Sequence, residues 1–152
     1  MIANTDQIME WDRLNFYNTF YKSDCDGMIF TFKSLSNKHS YAKFDSLEKS
    51  VLEVAEKQVI SNNATVGVYL WRNGFDFIDA AEEMIKRNIR TNNEFYICPT
   101  YNINIARGAR VETYYIRTHY PIGTPEELER YLEREKWETF LLVKWMKVVT
   151  SG

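Results

Sequence analysis

Glu56 and Lys57 stand side by side just before the loop "VISNN", and Gly67 interrupts the apolar run "ATVGVYLW" that follows. Adjacent residues on a strand point to opposite faces, so one of the pair can enter a pocket while the other reaches a phosphate from its rim. Most adjacent Glu-Lys pairs are solvated surface charges, and that reading stands beside the functional one. Gly67 weighs on the functional side, because a glycine inside an apolar strand costs stability unless a ligand or another backbone approaches closely there. Asp6, after the apolar "MIAN", offers a second chemistry. A carboxylate at the carboxyl end of a strand can hold Mg²⁺, which keeps most of its waters and takes one or two protein carboxylates plus substrate phosphates. An Asp in that place is more often a turn residue or a helix cap. Asn62-Asn63 is first a turn signal and only second a hydrogen-bonding platform.

Other chemistries find no support in the spacing. His39 and His119 are isolated, and Cys25 and Cys98 are far apart and outside metal-ligand spacing. The serines lack a G-x-S-x-G elbow, and no cysteine lies in a nucleophile signature. The tyrosines in "ETYYIR" and "NFYNTFY" read as strand and helix packing rather than as base-stacking platforms. The 152 residues carry a net charge of -2 and no basic face, so there is no electrostatic footprint for nucleic acid. The N-terminus has no basic-then-apolar leader, and no apolar run approaches the roughly 18 residues that span a bilayer. The expectation is a soluble, cytoplasmic protein of one ordinary domain with no membrane partner.

These side chains need elements to place them. "MIAN" reads as a short strand, and "EWDRLNFYNTFYKS" as a helix with Trp11, Leu14, Tyr17 and Tyr21 at helical spacing. "MIFTFK" alternates, with Met28, Phe30 and Phe32 on one face. "SYAKFD" and "SVLEVAE" read as a hairpin around a turn at 45–49. "ATVGVYLW" is the longest strand, and "GFDFIDAAEEMIKRN" is a helix with a stripe of Phe77, Ile78, Ala81, Met84 and Ile85. Pro99 opens a helix running to about Arg107, with Gly108 just past its end. "RVETYYIR" is another strand. In "GTPEELERYL", Thr124 caps a helix with Pro125 at its first position and Glu127 closing a capping box. The helix can run on through "EREKWETFLLVKWMK". Mixed strands and helices in this order predict an α/β or α+β layer with ligands at carboxyl ends of strands.

The pieces "ANTDQ", "AEKQVISNNATVGVYLW", "NNEFYICPTYN" and "PIGTPEELERYL", in this order and spacing, resemble the second half of a sugar-phosphate nucleotidyltransferase. The family is that of glucose-1-phosphate thymidylyltransferases and their capsule-biosynthesis relatives. The resemblance covers residues 1–132, leaving 133–152 as a C-terminal helical tail. It implies an α/β fold with the mixed sheet of nucleotide-diphospho-sugar transferases. It also implies a reaction in which a sugar 1-phosphate oxygen attacks the α-phosphorus of a nucleoside triphosphate, making a nucleotide sugar for surface polysaccharide. Such a transfer needs in-line positioning and neutralised phosphate charge. Carried over by position, Asp6 would bind Mg²⁺, Glu56 would accept sugar hydroxyls and Lys57 would meet the sugar phosphate. Ser40 stands where many members have a sugar-contacting glycine. Val66 and Gly67 would offer backbone groups to the sugar, and Tyr69 would wall the pocket.

The sequence departs from the family in three places. The glycine-rich loop, with its catalytic arginine and the lysine after it, is not in these 152 residues. Gln58 replaces the usual proline after Glu-Lys, and Pro121 stands where many members carry a second metal-binding aspartate. The expectations are therefore a sheet incomplete on its N-terminal side, no activity in isolation, retained binding of a sugar phosphate or nucleotide sugar, and a homo-oligomer formed through the exposed "MIAN" edge or the tail. The alternative function is a sugar or sugar-phosphate binding or assembly module that does no chemistry.

Overall fold

The computed structural model describes residues 1–45, 47 and 50–149, and side chains up to residue 139. The chain divides into two compact units, residues 1–4 with 10–117, and residues 5–9 with 118–152, of which 150–152 lie outside the described residues.

The first unit is built on β6 (Asn63–Trp71), all nine of whose residues are buried. A strand buried on both faces reads as the continuous apolar run seen in the sequence. Its neighbours give a mixed sheet in the order β5 (Val51–Glu56), β4 (Ser40–Phe44), β6, β3 (Gly27–Lys33), β7 (Val111–Tyr115). β3 runs antiparallel to β6 and parallel to β7. β4 and β5 form the antiparallel hairpin expected from their alternation. Asp45 closes it by donating its N–H to the carbonyl of Ser50 at 2.8 Å; Ser46, Glu48 and Lys49 of the expected turn lie outside the described residues. The short β1 (Ile2–Ala3) also lies along β6, antiparallel, with Ile2 opposite Tyr69.

Helices cover both faces. α1 (Arg13–Lys22) starts where the Asp12 carboxylate accepts the Asn15 N–H at 2.9 Å. The expected stripe of Leu14, Tyr17 and Tyr21 turns outward, Leu14 being 76% exposed. Phe16 is the buried residue instead, packed edge-on against Phe30 and Tyr114, with Trp11 beside it. The helix is aromatic on two sides, so spacing alone does not choose which side meets the sheet. Met28, Ile29 and Phe30 are all fully buried, because β3 is covered on both faces and not on the single face that alternation suggested. On the opposite face lie α2 (Gly74–Lys86) and α3 (Thr100–Ala106). α2 buries Ala80 and Met84, with Phe77 against the core, while Ile78 and Ile85 of the expected stripe are exposed. α3 begins after Pro99 and ends before Gly108, whose φ of 92° is the left-handed conformation anticipated there. Tyr101 of α3 stacks on Trp71 at 4.4 Å between ring centroids and donates its hydroxyl to the Leu70 carbonyl at 2.7 Å.

The free side of β5 is capped by α3. The Asn102 carboxamide donates to the Val54 carbonyl at 2.8 Å and accepts the Val54 N–H at 2.9 Å, as a neighbouring strand would. Such a cap removes one pairing position from an edge that would otherwise recruit another chain.

In the second unit, β2 (Gln7–Glu10) pairs with β8 (Thr118–Pro121), neither of which the sequence pattern revealed. α4 (Pro125–Val149) follows, and its capping box forms as expected: Thr124 Oγ1 accepts the Glu127 N–H, and Glu127 accepts the Thr124 N–H, both at 3.2 Å. Among the described residues, no helix is long and apolar enough to cross a membrane.

Candidate functional site

The hairpin register places Ser40, the first residue of β4, directly opposite Glu56, the last of β5. Tyr41 in turn pairs with Ala64, which sets Ser40 beside Thr65 of β6, and Thr65 pairs with Thr31 of β3. A polar row, Glu56–Ser40–Thr65–Thr31, thus crosses the sheet. Each residue in it except Glu56 is buried. Buried polar groups persist only when hydrogen-bonded, as the hydroxyls of Ser40 and Thr65 are. Ser40 Oγ donates to the Glu56 carboxylate. Thr65 Oγ1 and the Tyr69 hydroxyl share a hydrogen bond of 3.0 Å. Tyr69 is only 4% exposed, so its hydroxyl faces this cluster from within the core.

Partial burial raises the Glu56 carboxyl above its ordinary value, and the Ser40 hydrogen bond and the charge of Lys57 offset that only in part. Cys98, 1% exposed, closes the cluster on the α3 side. Burial first, and then the Glu56 charge, push its thiol up to about 12 against hydrogen bonding from Ser40 and Tyr69. It is an inert packing group rather than a nucleophile.

Lys57 leaves the strand in a left-handed conformation, φ 54°, with its N–H bonded to the His39 carbonyl at 3.1 Å. This backbone turn, rather than simple strand alternation, separates its side chain from that of Glu56. Its ammonium donates to the Tyr96 hydroxyl and lies 4.6 Å from the Tyr96 ring centroid, and that hydrogen bond is the main cause that raises the ammonium above its ordinary value. Tyr96 in turn donates to Glu94.

Gly67 lies in a bulge of β6. Ile29 pairs with Tyr69 and Thr31 with Thr65, so residues 66–68 stand against Phe30 alone. The bulge gives Gly67 a φ of 72°. The close approach expected there is made by Asn4: a Cβ on residue 67 would lie 2.4 Å from Asn4 Nδ2, and the Gly67 carbonyl accepts the Asn4 N–H at 2.9 Å. Val66 beside it is buried.

The structure therefore gathers Ser40, Glu56 and Tyr69 into one cluster, sets Lys57 next to it, and holds Val66 and Gly67 in the β6 bulge. Asp6 belongs to the second unit. There its carbonyl accepts the Ile122 N–H at 2.9 Å and its carboxylate packs over Gly123, 3.1 Å from where a Cβ would stand. No group of three His, Cys, Asp or Glu suited to a metal occurs among the described residues. A lone carboxylate fits only a cation held mostly by water and phosphate oxygens, and Mg²⁺ is such a cation.

Thr65, Glu94, Tyr96 and Cys98 are additions to the expected site. Three of them fall in "NNEFYICPTYN", and the Asn-Asn pair is a legible signal. Asn92 and Asn93 both have positive φ, 48° and 65°, and form a two-residue turn closed by reciprocal hydrogen bonds between Thr91 and Glu94.

No protein-family profile matches the sequence, and no curated protein matches it. Solved structures do. A nucleoside-diphosphate-sugar pyrophosphorylase from Vibrio cholerae RC9 matches with a TM-score of 0.72 at 23% identity, over 86% of this chain and 54% of that one. A UDP-glucose pyrophosphorylase complexed with UDP-glucose matches with a TM-score of 0.66 at 18% identity, over 85% and 54%. A Bacillus anthracis protein assigned as a glucose-1-phosphate thymidylyltransferase, in complex with sucrose, matches with a TM-score of 0.59 at 18% identity, over 82% and 49%. This chain has the mixed α/β fold of nucleotide-diphospho-sugar transferases and spans about half the length of these structures.

Proposed function

We propose that this chain carries the sugar-phosphate side of a nucleotidyltransferase site and binds a sugar phosphate or nucleotide sugar at Ser40, Glu56 and Lys57. One observation carries the reading. The register seats a partly dehydrated carboxylate at the end of β5, and the left-handed residue after it turns an ammonium away from that carboxylate. A carboxylate short of water gains from accepting ligand hydroxyls. An ammonium next to it supplies the charge that a phosphate needs. The fold likeness to proteins named for nucleotide-sugar chemistry supports the same assignment.

In this reading Glu56 orients the sugar by its hydroxyls, Ser40 holds the Glu56 carboxylate, and Lys57 neutralises the phosphate. Tyr69 and Thr65 form the floor beneath them. Val66 and Gly67 present backbone groups from the bulge, although the Gly67 carbonyl is already taken by Asn4. Asp6 would hold Mg²⁺, which supplies charge neutralisation for phosphate oxygens. The parent activity is nucleotide-sugar synthesis for a surface polysaccharide in the cytoplasm. These 152 residues by themselves are expected to bind without turnover, since the glycine-rich cradle that would hold a triphosphate is not among them. A purely sugar-binding module is the second reading, favoured by the Asn4 amide that fills the space over Gly67.

Equilibrium titration with glucose 1-phosphate tests the proposal. Saturable binding weakened by both Glu56→Gln and Lys57→Ala is expected. Binding that neither substitution alters would refute it, and pyrophosphate release above a metal-only blank, lost in Asp6→Ala, would refute the expected inactivity.

A further inference from the structure

We propose that Tyr96 is a positioning residue for the Lys57 ammonium, with Glu94 fixing the direction of the Tyr96 hydroxyl, so that the remaining N–H donors of Lys57 are aimed at a phosphate monoester. The inference rests on the assignment of Lys57 to the ligand's phosphate.

Direction follows from donor and acceptor capacity. An ammonium has three donors and no acceptor, an ionised carboxylate only acceptors, and a phenol one of each kind. Lys57 donates to the Tyr96 oxygen, and that hydroxyl donates to Glu94. Without an acceptor at Glu94 the phenol would be free to rotate its proton toward Lys57 and repel it. With Glu94 in place, the Tyr96 lone pairs point at the ammonium and one of its three donors is used.

Glu94 is fixed by the backbone. The Asn92-Asn93 turn is closed by the Thr91 N–H to the Glu94 carbonyl at 3.0 Å and the Glu94 N–H to the Thr91 carbonyl at 2.9 Å. Arg90 ties the same turn down through the Asn93 carbonyl at 2.8 Å and Asn88 Oδ1 at 2.7 Å, with its guanidinium 3.8 Å from the Phe95 ring centroid. A lysine side chain has many rotamers, and ordering it when a ligand arrives costs affinity. Here the ordering is done on folding, by a rigid turn reaching back to the residue after β5.

The experiment is an NMR titration of the wild type, Lys57→Ala, Tyr96→Phe, Glu94→Gln and Glu94→Leu with two probes, glucose 1-phosphate and methyl α-glucoside. Tyr96→Phe keeps the ring and loses the hydroxyl. It is expected to raise the Kd for glucose 1-phosphate roughly tenfold, the scale of one net hydrogen bond, and to leave the glucoside unchanged. Glu94→Gln still accepts the phenol proton and should bind glucose 1-phosphate at least as well as wild type, whereas Glu94→Leu should behave like Tyr96→Phe. Weakening by Lys57→Ala without weakening by Tyr96→Phe overturns the inference alone. An equal loss of both probes in Tyr96→Phe also overturns it, as the mark of a merely structural role. Wild-type binding that is absent, or that Lys57→Ala leaves unchanged, overturns the site assignment and the inference with it.

Discussion

Replacing Asn102 with alanine should cost this protein a large part of its stability, because one side chain completes both hydrogen bonds of Val54 at the outer edge of the sheet. Val54 is 2% exposed, so its N–H and carbonyl lose their partners without regaining bulk water. Each buried group left unpaired costs about 1–3 kcal/mol, and a water entering the space left by the carboxamide would recover part of that. The expected loss is about 2–4 kcal/mol, against a typical total of 5–15 kcal/mol. Urea unfolding followed by circular dichroism would read it as a midpoint lowered by about 1–2 M at unchanged slope. Asn102→Asp should cost no less: it keeps the acceptor for the Val54 N–H but sets an anion against the Val54 carbonyl. β5 ends two residues on at Glu56, so the same substitution should also loosen the Ser40–Glu56 pairing. A loss below about 0.5 kcal/mol for Asn102→Ala would show that the edge does not depend on this carboxamide.

Gly67→Ala combines a left-handed φ of 72° with a Cβ placed 2.4 Å from Asn4 Nδ2, and should destabilise by at least about 1–3 kcal/mol in thermal unfolding; a neutral result would mean that β1 is not anchored there. The raised Glu56 carboxyl makes the folded state the tighter proton binder, so its contribution to stability is present below the unfolded value of 4.5 and is lost as pH rises through the folded value. Denaturant midpoints from pH 4 to 8 should show this slope in wild type and a flatter one in Glu56→Gln; identical slopes would remove the burial argument. Cys98, with its thiol at about 12, and Cys25, fully buried, should both resist iodoacetamide at pH 8 in the folded protein and react once unfolded, as read by mass spectrometry. Light scattering at micromolar concentration should show a dimer or larger assembly, and a monomer there would end the expectation drawn from the exposed "MIAN" edge.

What the sequence made legible was local. The β4–β5 hairpin followed from alternation around a polar turn, and β6 from an unbroken apolar run with a glycine. α3 and α4 announced themselves by Pro99, Gly108, and the Thr124–Glu127 box, which act within one helical turn. The pairing of β2 with β8 was invisible because "QIME" and "THYP" are short, partly polar, and joined only by contacts remote in sequence. The buried side of α1 was misjudged because the helix carries aromatic residues on two sides, and which side is covered depends on the sheet beneath; on α2, Phe77 and Met84 turn inward as expected while Ile78 and Ile85 do not. At the site, Glu56 and Lys57 were legible as a pair. Their separation was expected from strand alternation, but its actual cause, a left-handed backbone at a lysine, is not encoded by composition. The Tyr96–Glu94 support escaped for the same reason: a two-residue Asn-Asn turn carries it to a lysine remote in the sequence.

The most direct test of the site is residue-level mapping of glucose 1-phosphate on the ¹⁵N-labelled chain. Shifts that titrate together at the amides of Ser40, Glu56 and Lys57, and that Lys57→Ala abolishes for the phosphorylated sugar, are the predicted result. Shifts confined to other surfaces, or a Lys57→Ala spectrum that responds as the wild type does, would contradict it.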